Sequence, residues 1–262
     1  MAFSYRDRVV LVTGASSGIG RALALRLAKE GARPALVARR GELLEQLTHE
    51  IRAAGGVAAW SAADVAERDA LHRAIGDLRQ QLGPIDVLIA NAGVGTPTLL
   101  DPLNIRDVER MFQVNVLGTI YAIEAVLPEM LKRREGRLVA VSSIVSFKGL
   151  PGESAYCATK AAVNSYLEGL RIHLRSTGVS ATVACPGFVE TPMTAMNNFK
   201  MPFLLSANQA ASEILWAIRK KKKIHRFPRR MSWLMRLVSW SPDWLIARGM
   251  KDYNEHPPTG SV

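Results

Sequence analysis

Two cysteines in 262 residues, Cys157 and Cys185, are too few for a disulfide framework. Each sits in a run that reads as core, so both are expected as free buried thiols, which suits a reducing compartment. Histidine is also sparse. Its five copies form no His-x-x-x-His pair, and the chain has no Cys-x-x-Cys spacing, so no metal site is expected. No apolar run reaches the roughly 18 to 20 residues that a spanning helix requires; the most apolar stretch near the C-terminus is broken by Arg236, Pro242 and Asp243. Residues 1–5 lead directly into an apolar strand, without the basic, apolar and small-residue segments of a secretory signal. A cytoplasmic chain is the expectation. Acids are missing from one place in particular: residues 219–230 hold eight lysines and arginines and no acid, which accounts for most of the net charge of +11.

With 48% hydrophobic and 22% charged residues, the composition is that of a globular domain with one substantial core. Runs rich in Val, Ile, Leu and Ala at 8–13, 33–38, 57–61, 85–90, 137–142 and 179–185 read as strands. They are continuous in polarity, as strands buried on both faces are, which implies a parallel sheet covered on each side. Between them, 19–30, 41–54, 67–82, 105–133 and 155–176 carry apolar residues at helical spacing, for example Leu43, Leu44, Leu47 and Ile51. Alternation of this kind predicts an α/β, single-domain, doubly wound Rossmann fold. A further strand at 223–227 makes about seven, in the order 3-2-1-4-5-6-7. No repeat or linker divides the first 190 residues. Residues 1–193 are therefore read as the nucleotide-binding and catalytic core, and 194–262 as a lid, last strand and amphipathic extension of the same domain.

The first strand ends in Thr13-Gly14-Ala15-Ser16-Ser17-Gly18-Ile19-Gly20, which opens the first helix. Glycines there permit a tight turn and close approach of backbone N–H groups to a pyrophosphate, and the helix N-terminus adds partial positive charge. At the end of the second strand an acid would accept hydrogen bonds from an adenosine ribose. This chain has Ala38, then Arg39 and Arg40. Arginines there favour a 2′-phosphate, so NADP(H) is the expected cofactor, resting mainly on Arg39, with Arg40 beside it as a candidate that also reads as a solvated loop charge.

Ser142 and Ser143 end a strand, and Tyr156 and Lys160 lie four apart near the start of a helix, on one face of it. A tyrosine with an ordinary value near 10 is a poor acid-base catalyst at neutral pH unless its phenolate is stabilised, and a nearby lysine and oxidised nicotinamide are candidates for that. Together with the glycine-rich turn, Asn91-Ala92-Gly93, Asn115 and Pro186-Gly187, all in order, the chain resembles the short-chain dehydrogenase/reductase family over about residues 6–193. The resemblance implies Tyr156 as general acid/base, Ser143 as the partner orienting the substrate oxygen, Lys160 as the group that lowers the tyrosine pKa and holds the nicotinamide ribose, and Asn115 as support for a water-mediated relay. It also implies that Asp64 and Val65 contact adenine, that Asn91, Ala92 and Gly93 line the cofactor cleft, and that Pro186, Gly187, Val189 and Thr191 embrace the nicotinamide end. Two positions depart from the pattern of many members: Thr159 stands where serine is common, and Ser17 where many NADP users have a basic residue.

In that family the region after Thr191 closes over the substrate. Phe188, Met193, Met196, Phe199, Met201, Phe203 and Leu204 suggest an apolar, adaptable lid, hence a lipophilic carbonyl or alcohol substrate, steroid-, retinoid- or acyl-like. A helix over 207–221 and the edge strand follow, with much of the basic run expected on the exposed face of that strand. Residues 231–240 form a helix with Ser232, Arg236 and Ser239 on one narrow polar stripe, and Ser241-Pro242-Asp243 reads as a new helix start with Ser as N-cap. Tryptophan and leucine beside basic residues fit peripheral contact with an anionic membrane through 219–250, or else packing in a homodimer or homotetramer. Nucleic acid is not expected, since no reading module accompanies the charge. The functional expectation is an NADP(H)-dependent oxidoreductase reducing a lipophilic ketone or aldehyde; the alternatives are a catalytically silent NADP-binding regulator and a membrane-surface interaction protein.

Overall fold

The computed structural model describes residues 3–197 and 200–249. Seven parallel strands form one sheet in the order β3-β2-β1-β4-β5-β6-β7. They are β1 (Val9–Thr13), β2 (Arg33–Ala38), β3 (Ala59–Ala62), β4 (Val87–Ala90), β5 (Gly136–Val141), β6 (Val179–Pro186) and β7 (Ile224–Phe227). Alternate side chains of each strand enter opposite layers, as a two-residue period requires. Val9 and Leu11 join one core with the helices α3 (Arg68–Leu82), α5 (Gly118–Arg133) and α6 (Ser154–His173). Val10 and Val12 join the other, with α1 (Gly18–Lys29), α2 (Gly41–Ala53) and α7 (Ala207–Arg219). The strand order reverses between β1 and β4, and a crevice opens at the carboxyl ends of the strands there.

The stretch expected as one helix over 105–133 is three pieces: α4 (Ile105–Met111), a π-helical turn (Phe112–Leu117) and α5. The widened turn carries Asn115, whose side chain is consumed by Val94 and Thr159, and Gly118 then passes so close to Val65 that a Cβ would lie 2.7 Å from its methyl group. By length and composition the span Ile105–Arg133 is apolar enough to cross a membrane. Here it is a core element, with Ala122, Ile123, Val126 and Met130 buried beside strands β4 and β5.

The C-terminal region corrects two expectations. The basic run is split by β7, leaving Lys220–223 at the amino end of that strand and Arg229 and Arg230 at its carboxyl end. Arg226 does not face solvent from the strand edge, because its guanidinium lies 3.7 Å from the Phe147 ring centroid and its Nε is buried. Beyond β7 come α8 (Arg229–Trp240) and α9 (Asp243–Gly249). The Ser241 hydroxyl donates to Leu237 O and closes α8, while Leu245 N–H donates to Pro242 O, so Ser241 does not cap α9.

Candidate active site

The turn after β1 is shaped for a close-lying ligand. Gly14 and Gly18 adopt φ of 66° and 52°, a region disfavoured for residues with a Cβ, and a Cβ at Gly20 would lie 2.2 Å from Gly14 O. Thr13 locks the neighbouring strand to this turn: its hydroxyl accepts from Asn91 N–H at 3.0 Å and Ala92 N–H at 3.1 Å, and its carbonyl accepts from Asn91 Nδ2. Thr191 is brought across the crevice against Gly18, where a Cβ would lie 2.9 Å from the threonine methyl. One cleft is thereby lined by Gly14, Ser16, Ser17, Gly18 and Ile19, by Arg39 and Arg40, by Asp64 and Val65, by Asn91, Ala92 and Gly93, and by Pro186, Gly187, Val189 and Thr191.

The two arginines after Ala38 behave differently. Arg40 Nη2 donates to Ser16 Oγ at 3.0 Å and to Ser17 Oγ at 2.9 Å. Its guanidinium therefore reaches the turn from the neighbouring strand and supplies the positive charge that Ser17 itself does not. Arg39 lines the same cleft and acts on Asp64 electrostatically. Burial opposes ionisation of Asp64, but Ala66 N–H and the Arg110 guanidinium outweigh it and hold the carboxyl below its ordinary value. Arg110, on α4, also lines the cleft and was not foreseen. Its spacing in the sequence bears no relation to Asp64, and only the docking of α4 against the loop after β3 joins them.

At the other end lie Ser143, Tyr156 and Lys160. Ser143 opens a short 3-10 turn (Ile144–Phe147), and its side chain favours the Tyr156 phenolate. Desolvation of the phenol outweighs that influence, and the Glu153 charge adds to it, so the protein's own groups raise Tyr156 above the ordinary tyrosine value and keep it a neutral phenol. Burial also pushes the Lys160 ammonium down to about 8, with Nζ donating to Val141 O at 3.1 Å and standing 5.5 Å from the Tyr156 ring centroid. Ser142 is not a rival to Ser143, since its hydroxyl donates to Lys160 O. Asn115 is buried on the π turn, where Oδ1 accepts from Val94 N–H and Nδ2 donates to Val94 O and Thr159 Oγ1. Its side chain braces the cleft wall, and Thr159 serves as its acceptor. Gly93 leaves the space between Asn115 Oδ1 and Lys160 Nζ, each 3.3 Å from where a Cβ would lie.

Of the expected lid residues, Met193 lines the cleft and, with Met196, Phe203 and Leu204, is exposed. A bridge between Val189 and Leu205 pins the base of this segment. Phe188 packs elsewhere, with Ile144, Met231 and Met235. Phe199 lies outside the described residues. Cys157 and Cys185 are buried and unpaired.

A doubly wound sheet, a glycine turn at its switch point, and a half-buried tyrosine and buried lysine lining the same cleft define a dinucleotide-binding oxidoreductase. Comparison with known proteins gives the family. The model of the short chain dehydrogenases matches residues 8–201. An uncharacterized oxidoreductase of Myxococcus xanthus is 44% identical over 203 residues, covering 78% of this chain and 80% of its own. Another, from Listeria innocua, is 31% identical over 232 residues, covering 84% and 94%. A variant of actinorhodin polyketide ketoreductase solved with NADPH is similar in structure, with TM-score 0.79, 27% identity and coverage of 88% and 99%. A short chain dehydrogenase/reductase of Burkholderia phymatum solved with NAD has TM-score 0.83 at 24% identity and covers 99% of each chain. The chain belongs to the short chain dehydrogenase family.

Proposed function

We propose that this protein is an NADP(H)-dependent reductase of lipophilic ketones or aldehydes, working through Tyr156, Ser143, Lys160 and Asn115. The observation that carries the redox reading is the Tyr156 phenol, lining with Ser143 and Lys160 one end of a cleft whose other end is the glycine turn. A bound nicotinamide would supply the hydride. Tyr156, held neutral, donates its proton to the substrate oxygen as negative charge develops there. Ser143 hydrogen-bonds the same oxygen and fixes its position. The buried Lys160 ammonium offsets charge left on Tyr156 and offers donors to ribose hydroxyls, while Asn115 keeps the strand wall and Thr159 in register.

NADP(H) in preference to NAD(H) is supported by Arg40, placed on Ser16 and Ser17, with Arg39 beside it and Ala38 offering no acceptor to a ribose. The solved ketoreductase with NADPH agrees with this choice, whereas the Burkholderia structure holds NAD. A lipophilic substrate is supported by Met193 in the cleft and the exposed Met196, Phe203 and Leu204, which act as the lid. Exposed Phe112, Leu117 and Tyr166 support a homodimer or homotetramer. The test is turnover of a panel of lipophilic ketones and aldehydes with NADPH and with NADH, in wild type and Arg40→Ala. Preference for NADPH is expected, falling by tenfold or more in the variant, since a charge-assisted bidentate contact is worth about 1.5 to 3 kcal/mol. Equal use of both cofactors by the wild type would contradict the NADP(H) assignment, and no turnover with either would contradict the reductase reading.

A further inference from the structure

A surface helix ordinarily shows its polar stripe to water and its apolar stripe to the core. Helix α8 obeys this on one side only. Met231 and Met235 are buried against Ile144, with Phe188 and Val238 alongside. The adjoining stripe of Ser232, Arg236 and Ser239, spaced four and three apart, lines a half-open cavity of about 330 Å³ beside the helix, whose remaining walls are Ile144, Phe147, Met235, Trp240 and Arg226. Furthest from the core is the stripe of Trp233, Leu237 and Trp240, which are 67%, 68% and 83% exposed, and Trp244 on α9 is 69% exposed. The helix thus holds one arginine and two serines over a cavity while turning its largest apolar side chains to water.

The cavity is unusually basic. Arg226, stacked on Phe147, has a buried Nε without a hydrogen-bond partner, and among the described residues no acid lies within ion-pairing distance of Arg226 or Arg236. Arg229, Arg230 and Arg248 are likewise without an acid among the described residues. The one acid between positions 214 and 249 is Asp243, and Lys148 Nζ takes it at 3.1 Å. Arg226 and Arg236, the latter with its guanidinium 5.9 Å from the Trp233 ring centroid, bring two positive charges to the lining of one cavity, and phosphate oxygens match their forked donors.

Anion-binding groups directly beside exposed tryptophan and leucine call for a partner that is negative and apolar within a few ångströms. A second copy of this chain fits poorly, because a two-fold contact through this face sets Arg229, Arg230, Arg236 and Arg248 against themselves. An anionic bilayer has both properties, and tryptophan and arginine are suited to its headgroup level. We propose that the cavity between the 3-10 turn and α8 receives the phosphate of an anionic membrane lipid, with Trp233, Leu237, Trp240 and Trp244 inserted at the bilayer surface. The lysines at 220–223, at the opposite end of β7, take no part in this contact. Ser143 lines the catalytic cleft and Ile144 lines the cavity, so the docked surface stands one turn from the proposed reaction centre. The inference is independent of which cofactor or carbonyl is used.

Co-sedimentation of the full chain with phosphatidylcholine vesicles, alone or mixed with phosphatidylglycerol, at physiological salt tests it. Wild type is expected to bind the anionic vesicles at least tenfold more tightly than the neutral ones. Arg236→Gln should weaken that binding on the order of fivefold, the effect of about one basic residue at a membrane surface, and Trp233→Ser with Leu237→Ser should abolish it. These side chains are exposed, so thermal midpoint and NADPH affinity should stay unchanged, showing the variants folded. Equal binding to both vesicle types, or wild-type affinity in Arg236→Gln, would overturn the proposal. So would saturation by glycerol phosphate without vesicle binding, which marks a soluble-phosphate site, or a dimer that the double variant separates, which marks self-association.

Discussion

Lys160 is charged, buried and placed where only another group's chemistry needs it. Its ammonium donates to Val141 O, and burial drives it down to about 8. The unfolded chain keeps that proton up to about 10.5. Between these values the unfolded state binds more protons than the folded one, so stability rises with pH through the window, and the full penalty of burying the charge applies below 8. Lys160→Met is therefore expected to unfold at a higher temperature than wild type at pH 7, by up to about 3 kcal/mol, with the difference shrinking from pH 8 upward. Tyr5, Tyr156 and Cys157 are also held neutral to higher pH, and none owes its shift to Lys160, so they cancel in the comparison; Cys185 does feel the Lys160 charge, but burial keeps it a neutral thiol over the range tested. Thermal denaturation across pH 6 to about 10 measures this. A variant less stable than wild type at pH 7 would show that Lys160 contributes to the fold.

The residue scale is also where the sequence was most and least legible. Tyr156 and Lys160 four apart, the glycine turn and Pro186-Gly187 are local patterns, and the structure brings them to one cleft. The local pattern places Arg39 ahead of Arg40 and reads Arg40 as a solvated loop charge. Which guanidinium meets Ser16 and Ser17 depends on how β2 enters its loop, and Arg40 is the one that does. Arg110 left no trace at all, because it meets Asp64 only through tertiary docking.

At the scale of elements, the departure from a regular helix at Phe112–Leu117 has a physical cause in Asn115. Apolar periodicity runs through residues 105–133, so the pattern predicts one helix; it contains nothing that marks a buried amide claimed by the backbone of the loop after β4. Val94 N–H and C=O both find their partners in that one side chain, at 2.8 and 2.9 Å. Asn115→Ala leaves both without a partner and frees Thr159 Oγ1, which should cost about 2 kcal/mol and lower the melting temperature by several degrees along with turnover. Hydrogen exchange over residues 112–117 should quicken in the variant. Loss of turnover with an unchanged melting temperature would contradict the bracing role and leave Asn115 acting on the reaction alone.

At the scale of the molecule, sheet order followed from continuous apolar strands and right-handed crossovers, and all seven strands take their expected places. The C-terminal third was less legible because its helices are amphipathic in a way that periodicity cannot orient. The polar stripe of Ser232, Arg236 and Ser239 is visible in the sequence, but that it overhangs a cavity containing Arg226 depends on how α8 docks on the turn after Ser143. The same docking separates two tasks along the chain: the segment pinned by Val189 and Leu205 borders the cleft, while α8 and α9 carry the exposed tryptophans away from it.

The central claim is that Tyr156 protonates a carbonyl oxygen in a cleft that binds NADP(H). It is tested most directly by supplying NADPH deuterated at the transferring position with a lipophilic ketone, and following deuterium into the alcohol by mass spectrometry in wild type and Tyr156→Phe. Wild type should place one deuterium on the carbinol carbon, and the variant should bind NADPH normally but react slower by a factor of about a hundred or more, the loss expected for a general acid. Deuterium transfer at an undiminished rate in Tyr156→Phe would contradict the account.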